Sequence, residues 1–259
     1  MPISLEICVD SIESAVAAAA GGADRLELCR ALRVGGLTPS EDLICGVRAA
    51  ADIDIFVMIR PRSGNFVYSA DEVAAMMQEI EMAQRCGASG VVLGALTTGD
   101  DVDVEATTAL VAHARPLQVT FHRAFDLCGD LERALNDVIT TGADRILTSA
   151  GAKEAVQATE RLARLVDLSQ GRTRIMAGGG VRSQNVRDLV TESRVRDVHS
   201  TLGFSEWCKN LDWNGAAEDH HESASLPRYI VSESDVRAMR AILSELEEAT
   251  SAGGASRRR

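Results

Sequence analysis

The chain has 259 residues and a formal net charge of −11, and 46% of its residues are hydrophobic while only 3% are aromatic. This negative charge excludes the basic surface that nucleic acids and anionic membranes require, so neither is expected as a partner. No apolar run is long enough to span a membrane, and the N-terminus lacks a basic leader with a cleavage site. The sequence therefore predicts a cytoplasmic protein with one large α/β domain.

Short apolar segments, rich in Ile, Val, Leu or Met, recur along the chain and predict eight β-strands. They span residues 3–9, 25–29, 55–60, 90–94, 118–123, 145–149, 174–177 and 197–200. Helical patterns fill the gaps, and two of them begin with a predicted capping box, at residues 38–41 and 69–72. Strands that alternate with helices predict a parallel sheet. Units of about 32 residues predict a single-domain (β/α)8 TIM barrel over residues 1–249.

The alternation breaks after the eighth predicted strand. Residues 204–231 are polar and irregular, and they predict an extended loop that covers one mouth of the barrel or contacts a partner subunit. This stretch contains Trp207, Trp213, His220 and His221. A last helix is predicted from about Ser232. Residues 250–259, rich in Gly, Ala, Ser and Arg, are predicted to form a disordered tail.

The cysteines are spread along the chain without the close pairing that is typical of a disulfide framework. They are Cys8, Cys29, Cys45, Cys86, Cys128 and Cys208. In a reducing cytoplasm all of them are expected to be free thiols. Cys45, Cys86 and Cys128 fall on predicted helices or loops, and we interpret them as packing residues.

Residues 120–126 carry three ionisable groups at the end of the fifth predicted strand. In a parallel barrel the carboxyl ends of the strands converge on one mouth, and side chains two residues apart share a face. The side chains expected to converge there are Glu6, Glu27, Arg60, His122 and His199, with Cys8 and Cys29 near the rim. In an enzyme, His122 would act as acid or base. Its candidate carboxylate partners are Glu27 and Asp126, and Glu6 is a further catalytic candidate. The alternative is a buried network of ion pairs.

A small anion is a second candidate ligand for this mouth. The seventh predicted strand runs into three consecutive glycines before a helix, a position where backbone N–H groups often hold an anion. The residues predicted to bind it are Arg60, Arg62, Arg123, Ser149, Gly178, Gly179, Gly180 and His199. The alternative for the glycines is a sharp turn that requires small residues.

A metal ion is a third candidate ligand. Cys8 and Cys29 end neighbouring predicted strands, so their sulfur atoms can lie within reach of one ion. Thiolate and thioether ligands favour Cu(I) or Zn, and Met58 lies on the next strand. The alternative is a pair of small buried thiols, because free cysteine is among the most buried residue types.

Several sequence segments occur in an order that carries a family resemblance. They span residues 5–8, 22–29, 35–40, 58–62, 120–126, 145–149 and 176–181. On these segments the sequence resembles the CutC copper homeostasis protein family over residues 3–240. The resemblance implies a TIM barrel, a cytosolic protein, a homo-oligomer such as a dimer or tetramer, and an association with Cu(I). The cysteines at the positions of the proposed copper ligands are Cys8 and Cys29. Ser63, Asn65 and Ala150 depart from the family pattern, which weakens the prediction of an anion site in the loops that contain them.

Three hypotheses follow from these patterns. The first is a cytosolic Cu(I)-binding protein that takes part in copper homeostasis. The second is a TIM-barrel enzyme, of lyase or isomerase type, that acts on a small anionic or phosphorylated metabolite with His122 as acid or base. The arginines of the mouth favour this second hypothesis, because metal binding alone does not require them. The third is a scaffold in which the charges of the mouth only pair with one another.

Overall fold

The computed structural model describes residues 2–203 and 230–256. Within them, eight parallel strands close into a barrel in sequence order, and β8 pairs with β1. The strands are β1 (Ser4–Val9), β2 (Arg25–Leu28), β3 (Asp54–Met58), β4 (Gly90–Leu93), β5 (Gln118–Phe121), β6 (Arg145–Thr148), β7 (Arg174–Ala177) and β8 (Asp197–Ser200). This closed parallel sheet confirms the predicted (β/α)8 TIM barrel.

Helices connect the strands and surround the barrel. They are α1 (Ile12–Ala20), α2 (Glu41–Ala50), α3 (Ala70–Arg85), α4 (Val104–Ala114), α5 (Leu131–Thr141), α6 (Thr159–Ser169), α7 (Val186–Ser193) and α8 (Glu233–Ser256). Short 3-10 helices lie at Leu32–Val34, Arg123–Leu127 and Ala155–Ala158. On β1, Leu5, Ile7 and Val9 pack into the core between strands and helices, whereas Glu6 contacts residues inside the barrel.

The predicted bounds are confirmed for β7 and β8, while β2 to β6 end one or two residues earlier than predicted. The chain leaves the sheet there because the following residues make other contacts. After β5, for example, the backbone N–H of His122 still bonds to Leu93 of β4, but the residue is already the N-cap of a 3-10 helix. The residues that fall just beyond the strands include Cys29, Arg60, His122 and Ser149, so they stand on loops at the carboxyl ends of the strands.

Of the two predicted capping boxes, one is confirmed. The Ser69 hydroxyl accepts a hydrogen bond from the backbone of Glu72, and the Glu72 carboxylate accepts one from the backbone of Ser69. The other prediction is wrong, because α2 begins two residues later with Ser40 as its N-cap. The hydroxyl of Thr38 instead accepts from the Arg60 backbone N–H at 2.7 Å. Thr38 thereby fixes the loop that follows β3.

A network of ion pairs fills the amino-terminal half of the barrel interior. The carboxylate of Asp197 lies 3.1 Å from Nη2 of Arg25, 3.2 Å from Nε of Arg145 and 2.6 Å from Nη2 of Arg174. Arg25 also donates to Glu6 at 2.5 Å. These groups come from five strands, so one carboxylate at the start of β8 joins distant parts of the ring.

The expectation that all cysteines are thiols is wrong for two of them. Cys45 and Cys86 form a disulfide between α2 and the C-cap of α3, with Cα atoms 5.0 Å apart. The two helices are neighbours around the barrel, which brings positions 41 residues apart in sequence into bonding geometry. Cys8, Cys29 and Cys128 are free and buried. Cys208 lies outside the described residues.

The end of the chain also differs from the prediction. Helix α8 continues to Ser256, past the start of the predicted tail, because extending an existing helix costs far less than beginning one. The predicted loop over residues 204–231, with its tryptophans and paired histidines, falls almost wholly outside the described residues. No helix in the described part of the chain is long and apolar enough to cross a membrane.

Candidate functional site

A cavity of about 390 Å³ opens at the carboxyl ends of the strands. Its lining combines sulfur, charged and apolar groups. The lining residues are Cys8, Glu27, Leu32, Val34, Gly35, Met58, Arg60, Phe66, His122, Arg123, Asp126, Leu127, Leu147, His199 and Thr201. The predicted convergence of strand ends thus places seven of the candidate site residues around one space: Cys8, Glu27, Arg60, His122, Arg123, Asp126 and His199.

Cys8, which lines this cavity, lies beside a second thiol, that of Cys29. The Sγ atoms of Cys8 and Cys29 are 3.7 Å apart, and both residues are buried. They pack with Phe56, Met58 and Val92 in a small cluster separate from the main core. The loop after β2 covers Cys29 closely, since a Cβ added at Gly36 would lie 3.3 Å from its Sγ atom. Gly36 also has a φ of +83°, which side chains rarely adopt.

Further potential metal ligands surround the Cys8 thiol. Ligand atoms of Cys8, Glu27 and His199 all lie within 4.8 Å of one another, and the three residues are buried. The Cys8 thiol donates to Oε1 of Glu27 at 3.2 Å. The sequence analysis did not predict Glu27 or His199 as metal ligands. The register of the sheet carries that signal, because Cys8 is the neighbour of Glu27 across β1 and β2.

Behind the cluster, Glu6 orients His199. Nδ1 of His199 lies 2.7 Å from Oε1 of Glu6, and Arg25 holds the other oxygen. Burial alone would raise the pKa of Glu6, but Arg25 and His199 lower it to about 2, so this carboxyl stays charged. Burial opposes the charge of His199, yet the carboxylates of Glu27 and Glu6 outweigh it and raise the histidine's pKa.

The pKa values of Cys8 and Glu27, which line the cavity, are raised, whereas that of Glu6 is lowered. The hydrogen bond with Cys29, together with burial, raises the pKa of Cys8 well above that of an ordinary thiol. Burial also raises the pKa of Glu27, against the opposing charge of His199. Both groups therefore hold their protons more firmly than exposed groups would. A metal ion bound here must displace protons, because thiolates are the binding form.

The donors present fit a soft cation such as Cu(I). Two thiols in contact provide the ligand type that selects Cu(I), and the neighbouring apolar side chains limit access of water. Glu27 adds an oxygen, Oε2, that is buried and has no hydrogen-bond partner within the described residues. Cys8 and Cys29 would hold the ion, with Glu27 and His199 close enough to complete its coordination.

The tautomer and the pKa of the His122 ring differ from those expected of an acid or base that works near neutral pH. Nδ1 accepts a hydrogen bond from the backbone of Ala124 at 3.3 Å, which leaves the proton of a neutral ring on Nε2. Burial, with the nearby charge of Arg60, lowers the pKa of His122 to about 3. The ring is therefore neutral at physiological pH, and Nε2 can donate but cannot accept. Proton transfer by His122 remains a prediction.

Asp126, predicted as a partner of His122, is engaged elsewhere. Its carboxylate accepts hydrogen bonds from the Thr148 hydroxyl, from the backbone and hydroxyl of Ser149, and from the backbone of Gly151. It also pairs with Nε of Arg123 at 2.8 Å, and Arg123 donates to the Ser149 hydroxyl at 2.8 Å. This set joins the loops after β5 and β6. Asp126 and Ser149 therefore have a structural role at the rim.

The predicted anion-binding arginines and glycines are only partly brought together. Arg60 lines the cavity, whereas Arg62 turns away and pairs with Glu72. Gly178, Gly179 and Gly180 are not among the described residues that line the cavity. Helix α7 begins only at Val186, and Glu154 packs against Gly180, where a Cβ would lie 2.7 Å from its Cγ atom. Anion binding at these glycines stays a prediction.

Known proteins are similar to this chain in sequence and in fold. A profile of the CutC family matches residues 3–204 of the chain. The family protein CutC of Rhizobium meliloti (strain 1021) is 44% identical over 204 residues, which cover 79% of this chain and 83% of that protein. The family protein CutC of Vibrio campbellii (strain ATCC BAA-1116) is 46% identical over 201 residues, covering 77% of this chain and 81% of that protein.

Solved structures agree with these relatives. The CutC protein from Streptococcus agalactiae, whose name refers to copper homeostasis, superimposes with a TM-score of 0.72 at 31% identity, covering 77% of this chain and 98% of that one. Thiamine phosphate pyrophosphorylase from Pyrococcus furiosus superimposes with a TM-score of 0.58 at 14% identity, covering 94% of this chain and 96% of that one. At such low identity the second similarity concerns the fold alone.

Proposed function

This chain belongs to the CutC family, and from that membership we propose that it is a cytoplasmic Cu(I)-binding protein of copper homeostasis. Copper is its cargo, and Cys8 and Cys29 are the principal ligands. The name of the solved relative from Streptococcus agalactiae supplies the link to copper, and the paired thiols of Cys8 and Cys29 supply the chemistry. The homo-oligomer implied by the family resemblance stays a prediction.

The observation that carries the proposal is the 3.7 Å separation of the Cys8 and Cys29 sulfur atoms. Two thiolates that share a tetrahedral ion at about 2.3 Å lie about 3.8 Å apart, so these sulfurs need almost no rearrangement to bind one ion. Soft sulfur ligands favour Cu(I) over the hard divalent cations. The burial of both thiols among Phe56, Met58 and Val92 also supports this, because it limits access of competing ligands to Cu(I) thiolates.

Anaerobic titration with Cu(I), against a chromogenic chelator, tests the proposal. We expect wild type to bind one tight equivalent, and Cys8→Ser and Cys29→Ser each to lose it, because a single buried thiol is a poor chelate. Cys128→Ser is the matched control, since Cys128 is also a free buried thiol but packs in the main core and not in the cluster of Cys8 and Cys29. It should bind Cu(I) like wild type.

Thermal unfolding of each variant before the titration separates loss of ligands from loss of the fold. Equal Cu(I) stoichiometry and affinity in wild type, Cys8→Ser and Cys29→Ser would contradict the assignment of the ligands. Competition with zinc adds a second measurement. Displacement of bound Cu(I) by equimolar zinc would contradict the choice of metal.

A second candidate function is an enzyme of lyase or isomerase type that acts on a small anion, as the arginines of the mouth suggest. The specific observation in its favour is that Glu27, Arg60 and His122 each present an unpartnered buried polar atom and line the same cavity. In such an enzyme His122 would polarise a substrate oxygen through Nε2–H, and Glu27 would be the group available for proton transfer. Incubation of wild type and Glu27→Gln with a ligand of the cavity tests this. If wild type does not convert the ligand during prolonged incubation, the protein binds the ligand without catalysis and the enzyme hypothesis is contradicted.

A further inference from the structure

Unpartnered polar atoms are concentrated in the barrel mouth. The described residues contain five buried side-chain nitrogen or oxygen atoms without a hydrogen-bond partner, and three belong to residues that line the cavity. These three are Oε2 of Glu27, Nε of Arg60 and Nε2 of His122. Buried polar groups are almost always hydrogen-bonded, because an unmade bond costs the full desolvation of the group. Such a concentration in one cavity indicates a site shaped for a ligand.

The charge of Arg60 is also uncompensated. Its side chain is 5% exposed, and its Nη atoms donate to the backbone oxygens of Val34, Gly36 and Gly64. Within the described residues no carboxylate lies within 4.0 Å of this guanidinium. The buried Arg25 and Arg145, by contrast, each pair with a carboxylate. Buried charges are rarely left unpaired, so we expect an anion to bind beside Arg60.

The second donor lies beside the same aromatic ring. The guanidinium carbon of Arg60 is 4.7 Å from the centroid of Phe66, and the ring of His122 is also 4.7 Å from it. Since Nδ1 of His122 already accepts from Ala124, its free nitrogen is a donor. One charged and one neutral N–H donor thus flank Phe66. This arrangement suits the oxygens of an anionic group.

Much of the remaining lining of the cavity is apolar and suits the carbon skeleton of an organic ligand. Leu32, Val34, Phe66, Leu127 and Leu147 contribute apolar surface to the cavity. Its volume of about 390 Å³ falls within the range of small-molecule sites. Glu27 also lines the cavity, and its unpartnered Oε2 is free to accept a hydrogen bond. A complementary ligand therefore has an anionic end, an apolar middle and a hydrogen-bond donor.

We propose that the cavity binds a small hydroxylated organic carboxylate. Its carboxylate accepts hydrogen bonds from Nε of Arg60 and Nε2 of His122, its body packs on Phe66, and its hydroxyl donates to Glu27. The two donors to the carboxylate, Arg60 and His122, are not candidate metal ligands. Glu27 is one, so the binding measurements use metal-free protein.

A carboxylate fits the charges better than a phosphate does. The mouth offers one uncompensated positive charge, at Arg60, because Arg123 already pairs with Asp126. A monoanion balances that charge. A phosphate dianion would add a second negative charge beside the carboxyl of Glu27 in a largely buried site.

Isothermal titration calorimetry with mandelate tests the proposal, with lactate as a smaller carboxylate. Mandelamide is the matched uncharged compound, and glycerol phosphate represents the phosphates. We expect wild type to bind mandelate and to bind mandelamide at least tenfold more weakly, because a hydrogen bond to a charged group is worth about a tenfold to hundredfold change in affinity. Tighter binding of glycerol phosphate than of either carboxylate would overturn the ligand class.

Variants of the two donors locate the site. His122→Phe removes the neutral donor and keeps an aromatic ring, and Arg60→Lys keeps the charge but removes Nε. Each should weaken mandelate binding about tenfold or more. Arg62→Gln is the matched control, because Arg62 belongs to the same loop but does not line the cavity. It should bind mandelate like wild type.

Arg60 also holds loop carbonyls, so Arg60→Lys could lose affinity through misfolding. A thermal unfolding curve like that of wild type, without ligand, is therefore required for this variant, and His122→Phe provides an independent measurement. The proposal is overturned if folded wild-type protein binds none of these compounds at millimolar concentration. It is also overturned if His122→Phe binds mandelate as tightly as wild type does.

Discussion

Replacing Asp197 by asparagine should lower the free energy of unfolding by about 3–5 kcal/mol, the usual cost of removing one partner from a buried ion pair. The Asp197 carboxylate is 1% exposed and pairs with Arg25, Arg145 and Arg174. Asparagine has nearly the same shape but no charge, so the guanidinium groups of Arg25 and Arg145 would remain buried without full compensation. Urea unfolding followed by circular dichroism measures the change.

Asp167→Asn is the matched control for this substitution. Asp167 pairs with Arg194 at 2.6 Å, but both side chains are more than half exposed. Exposed pairs contribute less than about 1 kcal/mol, so the control should unfold close to wild type. If Asp197→Asn unfolds at the same urea concentration as Asp167→Asn, the buried network does not stabilise the barrel as described.

Acidification should destabilise the protein through His122, by about 2 kcal/mol between pH 7 and pH 5. In the unfolded chain this histidine binds a proton below its ordinary pKa of 6.5, whereas in the folded chain its pKa is about 3. Between these values the unfolded state therefore binds more protons, and stability falls as the pH falls. His122→Gln cannot bind a proton, so it should lack this part of the pH dependence.

The measurement compares urea unfolding of wild type and His122→Gln at pH 7 and at pH 5. The difference between the two proteins isolates one histidine from all other titrating groups. His113→Gln serves as the surface control, because His113 is partly exposed and pairs with Glu81 on the outside of the barrel. Identical losses of stability in wild type and His122→Gln would show that the ring is not held neutral in the folded protein.

The fold was predictable from the sequence because its signals are local. Apolar segments at regular spacing, capping residues such as Ser69, and the alternation of strands and helices each depend on a few adjacent residues. The confirmed strand order and the convergence of Cys8 and Cys29 follow from the closed parallel sheet. The exact strand ends were less predictable. Just beyond the strand ends, the Thr38 hydroxyl accepts from the backbone of Arg60 and the His122 ring caps a 3-10 helix, and neither contact is marked by the apolar pattern.

The site was less predictable than the fold, because its members are paired by register and by distance. Asp126 lies four residues after His122 in sequence, yet its hydrogen bonds go to the end of β6. Asp197 is a lone acidic residue at the start of a strand, and no local sequence pattern indicates its role. Its importance comes from arginines on three other strands. The disulfide of Cys45 and Cys86 likewise depends on how α2 and α3 pack.

The contact between Glu6 and His199 has a consequence for how the protein is made. These residues are 193 positions apart, and they meet only where β8 pairs with β1. During synthesis the chain exposes both thiols and Glu27 to the cell long before His199 has left the ribosome. Because non-local contacts form last, the three-donor cluster of Cys8, Glu27 and His199 is complete only after the ring has closed. A nascent or truncated chain would thus present Cys8 and Glu27 without His199, whereas the closed barrel presents all three groups at one site.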